Sequence, residues 1–198
     1  FKISNLSSKN LGKEKKYLFF LQGQIYEKEN NLSKAKLAYL NSISCFNLFF
    51  ESYLRLFELF ESTNKIDKLK NLLELAYQNF KENEKLKVIY LYKSILQNRE
   101  KKFTESQNTI NKNNLEKYFS NNEYYLTKIY DTKSKNYEKL DKYHDSFVAV
   151  KNRNKIISNL IENKAYDRNR IIDTIKKYKN FFLKKNYLQI KKNINYPD

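Results

Sequence analysis

Apolar positions along the chain recur with a helical period. Tyr17, Phe20, Leu21 and Ile25 are spaced by three and four, stop at Asn30-Asn31, and resume as Ala35, Leu37, Ala38, Tyr39 and Ile43. The pattern then returns as Tyr53, Leu56, Phe57 and Phe60, a stop at Asn64, then Leu69, Leu72, Leu73 and Ala76. Asn tolerates the left-handed backbone that ends a helix, so each stop predicts a turn between two antiparallel helices. Ser33 is the expected N-cap of the second helix. The run Lys87-Val88-Ile89-Tyr90-Leu91-Tyr92 has strand propensity. Its flanks hold helix formers and no turn signal, so it reads as the buried first helix of a third pair.

A shift of 34 residues superposes the first two pairs. Phe19 falls on Tyr53, Tyr26 on Phe60, Leu32 on Ile66, Ala35 on Leu69 and Tyr39 on Leu73, while Glu27/Glu61, Asn30/Asn64, Lys34/Lys68 and Lys36/Lys70 repeat identically. The stretch Phe19-x2-Gln22-Gly23-x2-Tyr26, followed by Leu32 and Ala35-x3-Tyr39, resembles the tetratricopeptide repeat (TPR). A third unit uses Tyr90, Ser94 and Leu96, a break near residues 98–102, then Phe103, Ser106 and Ile110. A fourth uses Tyr125, Ile129 and Tyr130, then Tyr143, Ser146, Phe147 and Val150. From Ala35 to Leu69, Ser106 and Ser146 the intervals are 34, 37 and 40 residues, and the last predicts an inserted loop over 133–142.

The expected fold is all-α, a TPR-like right-handed α-solenoid of helical hairpins. Its units lie near 16–49, 50–83, 87–120 and 124–155, followed over 156–198 by a connecting helix and linker. Small Ala35 marks a close approach of two helices, and Leu69 in the equivalent place predicts looser packing. An irregular helical bundle is the competing arrangement.

Composition removes whole classes of function. One Cys cannot form an internal disulfide or a Cys-based zinc site, and two Gly cannot build a dinucleotide or phosphate loop. One Pro and two Gly supply too few turns for a many-stranded sandwich or barrel. No apolar run approaches a membrane span. A chain that opens on Phe1 and lacks Met reads as trimmed, and the expected compartment is the cytoplasm.

With 39 Lys+Arg against 22 Asp+Glu the net charge is +17, which raises nucleic acid as a partner. Only five of the basic residues are Arg, and Asn occurs 27 times. A joint Lys and Asn excess is what an AT-rich genome produces, so composition bias outweighs a functional basic surface. The best candidate for such a surface is 168–198, with nine basic residues against Asp173 and Asp198.

The first helices of such hairpins build a concave face. Its candidate groove residues are Tyr17, Phe20, Gln24 and Glu27, then Glu51, Leu54, Glu58 and Glu61, then Val88, Leu91, Ile95 and Arg99. The second set is acidic within a basic chain, which disfavours nucleic acid there and favours a protein or peptide. A merely solvated helix face explains the same carboxylates. His144 reads as a surface residue at a helix start, and Cys45 as a small buried hydrophobe. No catalytic, cofactor-binding or metal-ligating residue is expected in this segment.

The run Tyr143-x2-Ser146-Phe147-x2-Val150-x3-Asn154, then Tyr166-Asp167, Ile171-x3-Ile175 and Phe181-Phe182, resembles a known junction. It is similar to the last repeat and connecting helix of bacterial proteins that fuse tetratricopeptide repeats to a sulfotransferase domain. The resemblance implies an N-cap at Asp167, a helix over 168–182, and an approach to a following domain at Asn195-Tyr196-Pro197-Asp198. It further implies a parent enzyme using 3′-phosphoadenylyl sulfate (PAPS), with this segment packing beside the sulfotransferase domain. The segment itself then serves as an interaction module. The alternatives are a Lys-rich nucleic-acid-binding repeat protein and a stand-alone scaffold.

Overall fold

Four turns of one conformation organise the chain in a computed structural model that describes residues 8–81, 83–163 and Lys176. Among these residues every regular element is helical: α1 (Ser8–Lys28), α2 (Leu32–Cys45), α3 (Phe50–Ser62), α4 (Ile66–Asn79), α5 (Asn83–Arg99), α6 (Phe103–Lys112), α7 (Leu115–Tyr118), α8 (Glu123–Lys139) and α9 (Tyr143–Asn163). Two compact units divide the chain, 1–153 and 154–198; the hairpins lie in the first, except that α9 runs on into the second. The hairpins are α1–α2, α3–α4, α5–α6 and α8–α9, the TPR-like arrangement. The Lys87–Tyr92 run lies inside α5, as a helix. Among the described residues no helix is long and apolar enough to cross a membrane.

Each hairpin turns on one residue with positive φ: Asn30 (57°), Asn64 (53°), Lys101 (63°) and Asp141 (58°), at intervals of 34, 37 and 40 residues. The next N–H reaches back five residues, Asn31 to Tyr26 at 2.7 Å, Lys65 to Phe60 at 2.8 Å, Lys102 to Gln97 at 2.8 Å and Lys142 to Tyr137 at 2.9 Å. The left-handed residue's own N–H reaches back three, to Glu27, Glu61, Asn98 and Glu138. This pairing satisfies carbonyls that a helix end otherwise leaves open. The second helix begins at once, with Ala35, Leu69, Ser106 and Ser146 donating to the carbonyls of Asn31, Lys65, Lys102 and Lys142.

Two local expectations are corrected. Asn31, not Ser33, caps α2: its side chain accepts from the Lys34 N–H at 3.2 Å, and Ser33 lies within the helix. Residues 133–139 are the last turns of α8 rather than an inserted loop. The polar stretch stays helical because its inward residues find partners. Fully buried Asn136 accepts from Asn98 at 2.8 Å and donates to the Ser106 hydroxyl at 2.9 Å. The extra length lies in α7 and the turns around it, where Asn114 takes a further positive φ of 50°.

The helices of the first hairpin cross at Gly23, where an added Cβ would come within 2.4 Å of Tyr39 Cε1. Ala35, twelve residues on, has no exposure, nor does Tyr39. The third and fourth hairpins keep the twelve-residue offset with a different bond. Ser106 Oγ donates to the Ser94 carbonyl at 2.7 Å, and Ser146 Oγ to the Ser134 carbonyl at 3.0 Å. The second hairpin has Phe57 and Leu69 at these places, both fully buried, so Leu69 leaves no opening there to solvent.

Between the first two hairpins, Ser42 Oγ donates to the Lys16 carbonyl at 2.8 Å and Ser52 Oγ donates to Ser42 Oγ at 2.9 Å. The buried Lys16 ammonium lies 4.2, 4.7 and 4.8 Å from the ring centroids of Phe46, Tyr17 and Phe49. Three aromatic faces there take the place of a counter-ion. The expected cap at Asp167, the helix over 168–182, the 168–198 basic surface and the Asn195–Asp198 approach lie outside the described residues, save Lys176.

These contacts set two stability changes of opposite sign. Gly23→Ala drives a methyl into the Tyr39 ring and lowers stability by about 1–3 kcal/mol. Lys101→Gly removes a side chain from a left-handed position and raises stability by about 0.5–1 kcal/mol. Thermal midpoints of the two variants check both signs.

Candidate interaction cleft

The first helices bring charged side chains from all four hairpins to one cleft. Glu27 comes from α1; Arg55, Glu58 and Glu61 from α3; Arg99 from α5; and Tyr124 and Lys128 from α8. Residues 55, 58 and 61 follow the i, i+3 spacing and share a face of α3. Leu32, Leu59 and Ser62 complete a cleft of about 410 Å³. Larger clefts of about 700 and 560 Å³ lie along α6–α8 and α4–α6, and neither holds a residue expected from the sequence to bind.

Ion pairs cross the cleft floor. The Arg55 guanidinium bonds to Glu27 and, at 2.7 Å, to Glu58. The Tyr124 hydroxyl donates to Glu58 Oε1 at 2.8 Å. Lys128 Nζ bonds to Glu61 at 2.5 Å and lies 5.5 and 5.4 Å from the ring centroids of Tyr92 and Tyr124. Burial opposes the charge on Arg55, but Glu27 and Glu58 outweigh it and hold its pKa above the ordinary value. Burial raises the Tyr39 hydroxyl to about 12 and pushes Tyr92 and Tyr124 upward as well, with Glu58 adding to the last two. All three phenols therefore remain proton donors at neutral pH.

Three buried polar atoms here have no hydrogen-bond partner: Tyr39 OH, Tyr92 OH and Arg55 Nε. Tyr39 has Arg55 and Glu27 as its electrostatic neighbours, and Tyr92 has Tyr124, Glu58 and Glu61. Among the described residues, the Arg99 side chain is exposed on the cleft wall and makes neither a hydrogen bond nor an ion pair.

The expected groove residues therefore separate. Glu27, Glu58, Glu61 and Arg99 line the cleft. Tyr17 and Phe20 pack their rings on Phe49, with centroids 5.1 and 5.3 Å apart, and seal the junction of the first hairpin with α3. Gln24 and Leu54 are half-buried and Glu51 is exposed, all outside the cleft lining. Leu91 has no exposure, and Val88 and Ile95 have little; these are core residues, because α5 is packed by α4, α6 and α8. Of the second set, Glu58 and Glu61 are neutralised by Arg55 and Lys128, while Glu51 stands exposed. Sequence reasoning missed Arg55, Tyr124 and Lys128. Only Arg55 carried a local signal, its i, i+3 spacing to Glu58.

His144 is exposed in the first turn of α9, and Cys45 is half-buried rather than buried, at the last residue of α2. Among the described residues no group of His, Cys, Asp or Glu could hold a metal ion.

The family model for anaphase promoting complex subunit 8 / Cdc23 matches residues 2–130, more than half of the chain. This chain belongs to that family. It is a TPR-like repeat family, in agreement with the helical hairpins, and the match extends to no sulfotransferase domain. No curated protein and no solved structure matches the chain. Every residue of the cleft, from Glu27 to Lys128, falls inside the ANAPC8/Cdc23 match.

The Lys128–Glu61 pair is about one-fifth exposed on each side, so it is only partly screened. Lys128→Met leaves Glu61 uncompensated and costs roughly 0.5–2 kcal/mol. Adding Glu61→Gln to Lys128→Met recovers part of that loss. A double-mutant cycle on denaturant midpoints measures the coupling.

Proposed function

We propose that this ANAPC8/Cdc23-family chain is a protein-interaction repeat module whose first-helix cleft seats a polypeptide segment of a multi-protein assembly. One observation carries the reading: the four hairpins converge their polar side chains on a single cleft inside the family match. The family's own name describes a subunit of a complex, which supports a protein partner over a small substrate. The lining holds three carboxylates against three cations, so it offers a phosphate backbone no surplus of positive charge. The sulfotransferase fusion, with its PAPS cofactor, is supported by the run from Tyr143 to Phe182 alone, and no feature of the cleft favours it.

A photo-reactive amino acid at Tyr124, introduced into the full chain in its native cell, is expected to cross-link to a polypeptide. The same group at Lys68 on α4 is expected to capture none. Adducts of nucleic acid, or equal capture from both positions, would overturn the reading.

A further inference from the structure

The cleft has an uneven balance of what is used and what is left over. Its three carboxylates are all engaged: Glu27 by Arg55, Glu58 by Arg55 and Tyr124, and Glu61 by Lys128. Two of its three cations are spent on the same pairs. What remains is one guanidinium, Arg99, exposed on the cleft wall. The Tyr39 and Tyr92 hydroxyls lie behind that lining with no exposure, so they brace the floor and leave Arg99 as the group that meets a partner. A free guanidinium among carboxylates that are already engaged calls for an acceptor of negative charge.

We infer that the cleft binds an acidic polypeptide segment, with one Asp or Glu carboxylate of the partner paired to Arg99. This rests on the interaction-module reading above and names the partner's chemistry. A carboxylate presents two oxygens that the planar guanidinium fork engages together. A single negative charge suits a site with one free cation. A doubly charged phosphate would need a second free cation, which the cleft lining does not hold. Leu32 and Leu59 add apolar wall, so the segment carries an apolar residue close to its acidic one.

The test uses the full chain and fluorescence anisotropy at physiological salt. The probes are pools of short labelled peptides, randomised among Ser, Ala and Leu, with a fixed central Glu, Gln, Lys or phosphoserine. The Glu pool is expected to bind about tenfold more tightly than the Gln pool. Arg99→Gln should bring it down to the Gln level. Lys151→Gln, an exposed cation on α9 away from the cleft, should leave the preference intact and so exclude attraction by the overall charge. Circular dichroism of each variant verifies the fold.

Equal binding of Glu and Gln pools would overturn the proposal, as would equal loss from Lys151→Gln or a preference for phosphoserine. A Gln or Lys pool that binds tightly and is lost on Tyr124→Ala would sink the carboxylate while keeping the module. If no pool binds, the carboxylate proposal falls, and polypeptide cross-linking at Tyr124 decides the module separately.

Discussion

The two helices of each hairpin meet at one crossing point, closed by a small residue or a hydrogen bond, or holding the buried Phe57 and Leu69 in the second hairpin. Everything else in the first unit depends on that crossing. In the first hairpin Gly23 lets the Tyr39 ring lie against the α1 backbone. In the third and fourth, a serine hydroxyl on the second helix reaches a serine carbonyl on the first. The left-handed residue follows seven positions after the crossing in each case, at Asn30, Lys101 and Asp141. Crossing and turn together fix which way each hairpin faces. That common direction is why α1, α3, α5 and α8 can offer their side chains to one cleft.

Within the cleft, charge placement rather than charge amount determines chemistry. The chain as a whole is strongly basic, yet the lining holds three carboxylates against three cations. Partial burial makes these pairs matter more than surface pairs do, since water screens them less. Their effect is to remove most of the cleft's charge and to leave its hydroxyls as proton donors. The same principle operates beside α7, where Glu116 is drawn in by Lys133 and Tyr130, each at 2.6 Å. Burial alone would raise the Glu116 pKa, and those two partners outweigh it and lower it. Closed networks of this kind rigidify helix junctions.

Local features of the fold were legible in the sequence because they are local in physics. The Asn stops, the 34-residue recurrence and the small residue at Ala35 all act within one hairpin. The serine at 134 was hidden because its surroundings, from Asp131 to Lys142, are polar enough to read as a loop. Only the partners supplied by Ser106 and Asn98 make that stretch a buried helix end. The cleft was legible by half. Glu27, Glu58, Glu61 and Arg99 follow from the face of a helix, but Tyr124 and Lys128 meet α3 across 66 and 67 residues of chain. No periodicity within a hairpin encodes a contact between hairpins. The burial of Leu91 has the same origin, since a helix packed from three sides leaves its apolar stripe no outlet.

The reach of α8 back to α3 has a mechanical consequence. An ordinary solenoid touches only its immediate neighbours and behaves as a spring, extending or peeling one coil at a time. Here the fourth hairpin clasps the second, through Tyr124–Glu58 and Lys128–Glu61, across the face of the third. A coil so latched cannot lengthen without first opening the latch. Pulling on it loads the two bonds together before the hairpins they span can part.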